Sequence, residues 1–319
     1  MKRVVITFLK FFLLPLYLLQ YGLLWIRIPL DKDEWCFVCD GHLGDDYRLL
    51  VFLGAFAKKM RTKKLSVVIG KKYSSMPKMF PYVSKIIPLR KIPNMFVTGF
   101  VSAYVEVLPS RPILVHLKRP ILYQTLPRNK SICNNALDTY KNYIGLNPFT
   151  MPARPRIGIK SRQNAKRKFH RLGLKVGKTV VIFPNANTHM IKNKGFWRKI
   201  SAALKNHGFS VISNSKRGEK NISGIDYVDL ELNEILPFVE LAGYIIFIRS
   251  GICDLLASSN ATKFILYPDV KSRAFDTITA YRYNSGKLEE LIINNGNSDR
   301  ISNIIINKII QQADLGIRF

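Results

Sequence analysis

Hydrophobic and polar positions follow two periods along the chain, and the pattern is clearest in the second half. There, short apolar runs rich in β-branched and aromatic residues read as strands: Thr179–Phe183, Phe209–Ser213, Tyr227–Leu230, Tyr244–Ile248 and Lys263–Tyr267. Helical spacing fills the intervals. Phe196–Asn206 reads as a helix ended by His207-Gly208, Asn233–Ala242 as a second with Asn233 as N-cap, and Ser250–Ser258 as a third. Continuous apolar strands alternating with helices predict a parallel sheet covered on both faces. The first half starts the same way. Trp35–Cys39 is a predicted strand, Asp40–Asp46 a Gly-containing turn, Tyr47–Met60 a helix and Leu65–Ile69 a strand, which together make one βαβ unit. Val83–Leu89, Tyr104–Leu108 and Ile113–His116 read as further short strands.

The first thirty residues differ from the rest. Val4–Leu30 is apolar apart from Lys10, Pro15, Gly22 and Arg27, and its longest uncharged run is Phe11–Ile26. As a helix that run spans about 24 Å, against roughly 30 Å for a hydrocarbon core. Lys10 and Arg27 are placed to snorkel, and Tyr17, Tyr21 and Trp25 suit the headgroup level. A helix lying shallowly in one leaflet is the reading preferred over a short spanning anchor or a buried core helix. No small-residue cleavage site follows, so a removed signal peptide is not expected. The expected organisation is a membrane-associated segment over 1–30, a first α/β domain over 31–150, a basic linker over 151–178 and a second α/β domain over 179–319. Pro152 and Pro155 break the linker, and Lys160, Arg162, Lys166, Arg167, Lys168 and Arg171 make it basic.

Charge narrows the partners. The 319 residues carry 50 Lys+Arg against 21 Asp+Glu, a net +29, which favours anionic partners. No helix-turn-helix, zinc-finger or RNP-like motif is visible, so nucleic acid is not the expected partner. Beside an apolar N-terminus, Lys58, Lys59, Arg61, Lys63, Lys64, Lys71 and Lys72 suit an anionic membrane surface, and hence the cytoplasmic face of the inner membrane. Cysteine adds no framework: Cys36, Cys39, Cys133 and Cys253 are sparse. Cys36 and Cys39 share one strand on opposite faces and have no second pair to complete a zinc site. No metal and no cofactor are expected.

Open α/β sheets bind ligands beyond the carboxyl ends of their strands. In the second half those positions are Pro184-Asn185-Ala186-Asn187, Asn214-Ser215, Arg249-Ser250-Gly251 and Pro268-Asp269, all polar or Gly-containing. At Arg249-Ser250-Gly251 a strand feeds directly into a helix. Its first turn offers free backbone N–H groups, Gly251 allows close approach of a phosphate, and Arg249 could contribute a bidentate contact. Ser250 as a plain cap with Arg249 paired to Asp254 is the competing reading; Asp254 could instead bond a sugar or ribose of the bound ligand. Lys192, Lys194 and Arg198 flank the first loop and could neutralise a diphosphate, and His189 lies in the same loop. In the first half Asp45, with His42 as rival, is placed to take a proton from an acceptor hydroxyl, and Asp45 or Asp46 could equally cap the following helix.

These residues carry a resemblance. The chain resembles glycosyltransferases of the two-Rossmann-domain (GT-B) kind, particularly the lipopolysaccharide heptosyltransferase-like family. The match runs through Leu43-Gly44-Asp45-Asp46, then Phe183-Pro184-Asn185-Ala186-Asn187 with Lys194, Phe196 and Trp197, then Ile245–Ala257 and Lys263–Pro268. The family has a polar or acidic residue before its Ser-Gly and Met-His after it; here Arg249 precedes, and Ile252-Cys253-Asp254 follows. The resemblance implies two Rossmann-like domains facing a cleft, an acceptor domain first and a nucleotide-sugar domain second. It implies Asp45 as catalytic base, with Lys194 and the Ser250-Gly251 turn on the donor diphosphate and no metal. It further implies a lipid-linked or surface-polysaccharide acceptor and transfer with inversion. The alternative is a non-catalytic, membrane-associated glycan-binding or scaffold protein of the same assembly line.

Overall fold

In a computed structural model of the chain, residues 34–39, 43–89, 113–116, 119–123, 135–186, 191, 194–215, 222–283, 286–294 and 296–315 are described. The expected apolar segment over 1–30, the strand at 104–108, His42, Asn187, His189, Lys192 and Cys133 lie outside them. Among the described residues no helix is long and apolar enough to cross a membrane.

The chain divides into two compact units, residues 1–132 with 139–153, and residues 133–138 with 154–319. In the first unit, strands β1 (Trp35–Val38), β2 (Leu65–Gly70), β3 (Lys85–Leu89), β4 (Ile113–His116) and β5 (Arg119–Tyr123) form one sheet in the order β3-β2-β1-β5-β4. All neighbours are parallel except β4, which is antiparallel to β5. The expected βαβ unit is present: α1 (Leu43–Met60) links β1 to its parallel neighbour β2. Its apolar positions do the packing. Leu49, Leu50, Phe52 and Leu53 are buried, and Phe56 meets Trp35 and Phe37 edge-on at 5.0 and 5.1 Å. Cys36 and Cys39 are both buried. Burial, with Glu34 beside it, pushes the Cys36 thiol up to about 12, which leaves it unreactive at neutral pH.

In the second unit, β6 (Thr179–Phe183), β7 (Ser210–Asn214), β8 (Asp226–Val228), β9 (Gly243–Ile248), β10 (Thr262–Tyr267) and β11 (Leu288–Ile292) form a sheet in the order β11-β10-β9-β6-β7-β8. Every neighbouring pair is parallel. Renumbered from β6, this is the 3-2-1-4-5-6 order of doubly wound nucleotide-binding sheets. The remaining α-helices among the described residues are α2 (Ala136–Tyr143), whose residues are divided between the units, α3 (Ile159–Arg171), α4 (Lys194–Asn206), α5 (Leu232–Ala242), α6 (Gly251–Leu256), α7 (Val270–Asp276) and α8 (Ser298–Asp314). One hydrophobic core joins α4 and α8 to the sheet through Phe196, Ile200, Leu204, Ile305 and Ile309, packed with Val180, Ile182 and Ile246.

Two expectations need correction. The stretch 151–178 is not a linker. Its centre is α3, which belongs to the second unit and buries Ala165 and Phe169, one helical turn apart. Phe169 meets Phe238 of α5 edge-on at 5.2 Å, and Lys168 pairs with Glu234 at 2.6 Å. The many cations hid a two-residue apolar stripe. Asn233 is not the N-cap of α5: Glu231 is, its N–H donating to Glu234 at 3.1 Å, while Asn233 donates to Ser161 at 2.9 Å.

The start of β9 requires glycine. Gly243 has φ +94°, and a Cβ there would lie 3.1 Å from the backbone of Gly177. Gly243→Ala is expected to destabilise the protein by about 1–3 kcal/mol, seen as a lower denaturant midpoint with an unchanged slope.

Candidate functional site

The strand order locates the crevice. The chain enters the second sheet at β6, moves outward to β7 and β8, and returns on the far side of β6 as β9. The reversal falls between β6 and β9, where such sheets bind ligands beyond the carboxyl ends. The segments leaving those ends are Pro184-Asn185-Ala186 and Arg249-Ser250-Gly251. Asn185 is exposed there, and Lys194 opens α4 after the loop that follows β6.

Asn214 closes β7, the strand beside β6. Its side-chain oxygen is buried and has no hydrogen-bond partner among the described residues. A buried carbonyl left in that state costs about 1–3 kcal/mol, which a ligand donor would recover.

The Ser250-Gly251 turn is built as the sequence suggests, with Ser250 extended and capping α6. The Ser250 N–H donates to Cys253 Sγ at 3.2 Å, so the thiol helps to hold the turn. Helix α6 has only six residues, so few peptide dipoles align behind it. Whatever anion affinity the turn has comes from local N–H groups.

Arg249 and Asp254 do not face that space. Both are buried, and Arg249 Nη2 and Nη1 meet the two Asp254 oxygens at 3.0 and 2.9 Å. Nε donates to the Asp276 carbonyl at 2.8 Å, and Nη1 also donates to the Ser250 carbonyl. Burial alone would weaken the guanidinium's hold on its proton; Asp254, Cys253, Tyr267 and Asp276 outweigh that and raise its pKa. Asp254 also accepts from the Tyr281 hydroxyl at 3.0 Å. The expected direct contacts of Arg249 with phosphate and of Asp254 with a sugar are therefore corrected. The pair ties the turn after β9 to the segment after α7.

That anchoring segment was missed from sequence. Glu290 of β11 accepts from Tyr267 Oη at 2.8 Å, Thr277 Oγ1 at 2.9 Å and the Ile278 N–H at 2.9 Å. The Asp276 carbonyl lies 3.2 Å from the same Tyr267 hydroxyl. An acid within Leu288–Ile292, a run too mixed to read as a strand, was the only available signal.

In the first unit, Asp45 is the third residue of α1, just beyond β1. It is half-buried and receives Arg48 Nη1 at 3.3 Å. Asp46 is fully buried, which leaves Asp45 as the member of the pair that can meet a substrate.

No protein-family model matches the sequence, and no curated protein matches it. Solved structures do. The fold is that of family 9 glycosyltransferase and heptosyltransferase structures, as the sequence resemblance implied. Three of these make the likeness concrete. A glycosyl transferase family 9 protein from Veillonella parvula is 14% identical with TM-score 0.59, over 90% of this chain and 98% of that one. The ADP-heptose LPS heptosyltransferase II of E. coli is 12% identical with TM-score 0.62, over 88% and 99%. The E. coli heptosyltransferase WaaC with ADP is 11% identical with TM-score 0.53, over 87% and 99%.

Proposed function

We propose that the chain is a glycosyltransferase that moves a sugar from a nucleotide-sugar donor to a lipid-linked or surface-polysaccharide acceptor, with inversion. The observation that carries this reading is the doubly wound second sheet, with its reversal between β6 and β9. Its likeness to family 9 and heptosyltransferase folds supports the same reading. The structures bound to ADP and to an ADP-heptose analogue make an adenine nucleotide the first donor to try.

The chemistry is a direct displacement. Asp45, or His42, takes the proton of the acceptor hydroxyl, whose oxygen attacks the anomeric carbon. The bond from that carbon to the diphosphate oxygen breaks, and the departing charge is met by N–H groups at Ser250-Gly251 and by Lys194. Asn185, Asn187 and Asn214 supply polar contacts to the nucleotide. Arg249 and Asp254 act on the donor through the turn that they hold. Residues 1–30, with the exposed Lys58, Lys59, Arg61, Lys63, Lys64, Lys71 and Lys72, hold the enzyme at the anionic cytoplasmic face of the inner membrane.

A thermal-shift panel of nucleoside diphosphates and their sugars tests the donor site. A ligand at a hundred times its Kd stabilises by about 2.7 kcal/mol. One nucleoside series should raise the melting temperature, and Gly251→Val and Asn214→Ala should each reduce that shift. Equal shifts in both variants would remove the turn and Asn214 from the site. A non-catalytic glycan-binding protein is the second reading, favoured by the withdrawal of Arg249 into the interior; it expects no shift with any nucleotide.

A further inference from the structure

Near the β11 edge of the second sheet is a cavity of about 230 Å³. It lies by the amino ends of β10 and β11, where Lys263 and Leu288 stand, whereas Ser250 follows the carboxyl end of β9. Ala257, Ile278 and Leu288 give it apolar walls, and Lys263, Arg282 and Tyr283 line it as well.

Lys263 is 1% exposed, an unusual setting for a lysine on a strand. Its ammonium donates to the carbonyls of Ser259 and of Ala261, the latter at 2.9 Å. Burial lowers its pKa to about 8, Glu240 working against that shift and Arg154 with it. It is still mostly charged at neutral pH. Glu240 is shared, since Arg162 stands 3.7 Å from it. Arg154 lies over the Tyr283 ring at 5.4 Å, and Tyr283 stacks on Tyr281 at 5.4 Å. Glu290 accepts from Thr279 at 3.3 Å and is engaged by the hydroxyls and N–H described above. Among the described residues that line the cavity, Lys263 and Arg282 are cations and none is an acid.

The walls are held in a fixed geometry. Arg282 is in the left-handed region at φ +53°, which costs a bulky residue about 1 kcal/mol or more and points to a conformation imposed by its surroundings. Gly286 has φ +51°, and a Cβ there would come within 2.4 Å of the Ala261 carbonyl. Gly286 thus packs directly on the turn that Lys263 ties down.

We propose that this cavity is an anion site, separate from the crevice between β6 and β9, which takes a small organic phosphate. The phosphate sits between Lys263 and Arg282, and its apolar body rests against Ala257, Ile278 and Leu288. The cavity is too small for a nucleotide-sugar and has the mixed lining of a small-molecule site. The proposal does not depend on the transferase reading.

Titration calorimetry of the full chain with phenyl phosphate tests it, with inorganic phosphate and ADP as separate probes. Phenyl phosphate should bind saturably, more tightly than inorganic phosphate, and with the same affinity when ADP is present. Arg282→Ala should weaken it by about tenfold or more while ADP binding is kept. Lys263→Met should act in the same direction. Because Lys263 also holds two carbonyls, the exposed Arg282 carries the test. Absence of saturable binding, equal affinity for inorganic phosphate, full competition by ADP or undiminished binding by Arg282→Ala would each overturn the proposal. Loss of ADP binding alone would count against the donor site and leave this one standing.

Discussion

Asp45→Ala is expected to lower the rate of sugar transfer by about 10²–10⁴-fold, the usual contribution of a positioned general base. The protein should still fold and bind its nucleotide. Asp45 is half-buried and pairs with Arg48, a residue of the same helix three positions on. A partly exposed pair of this kind contributes no more than about 1 kcal/mol to stability. Turnover with nucleotide binding and melting temperature measured on the same preparation separates the outcomes. A large rate loss at constant stability supports the base assignment. Unchanged turnover would move the role to His42, and the absence of turnover in the unsubstituted protein would favour the scaffold reading.

Arg249→Met is expected to destabilise the second unit by about 3–5 kcal/mol, because it leaves the Asp254 carboxylate buried without its cation. The damage should reach the donor site, since the Arg249 guanidinium also holds the Ser250 carbonyl. Arg249→Met combined with Asp254→Leu should recover much of the stability, because a buried ion pair replaced by apolar groups of similar size is often neutral. Urea unfolding of the single and double variants measures both. If Arg249→Met unfolds at the unsubstituted midpoint and loses only nucleotide affinity, the arginine contacts the ligand directly and the correction made above fails.

The core strands of the second unit were legible because each is a continuous apolar run. Val180, Val181, Ile182 and Ile245, Ile246, Phe247 are buried on both faces of a parallel sheet and need no alternation. The β1–α1–β2 unit was legible for the same reason, helped by the Gly-Asp turn. Strand β11 was missed because Glu289 and Glu290 interrupt it, and the latter is an internal anchor that no local pattern distinguishes from a surface acid. Helix α3 was hidden by its charge. At the site, the positions after each strand could be read from topology, but side-chain direction could not. Arg249 and Asp254 stand five residues apart across a turn, and only the fold shows them spending their charges on each other.

Acceptor-dependent release of nucleoside diphosphate tests the central claim most directly. The full chain is incubated with each nucleotide-sugar, with and without a bacterial lipid extract, and the diphosphate released is measured beside the Asp45→Ala variant. The account predicts release with one nucleotide series, accelerated by the extract and lost in the variant. A folded protein that binds a nucleotide yet releases no more diphosphate than Asp45→Ala, with every donor and with the extract present, would contradict it.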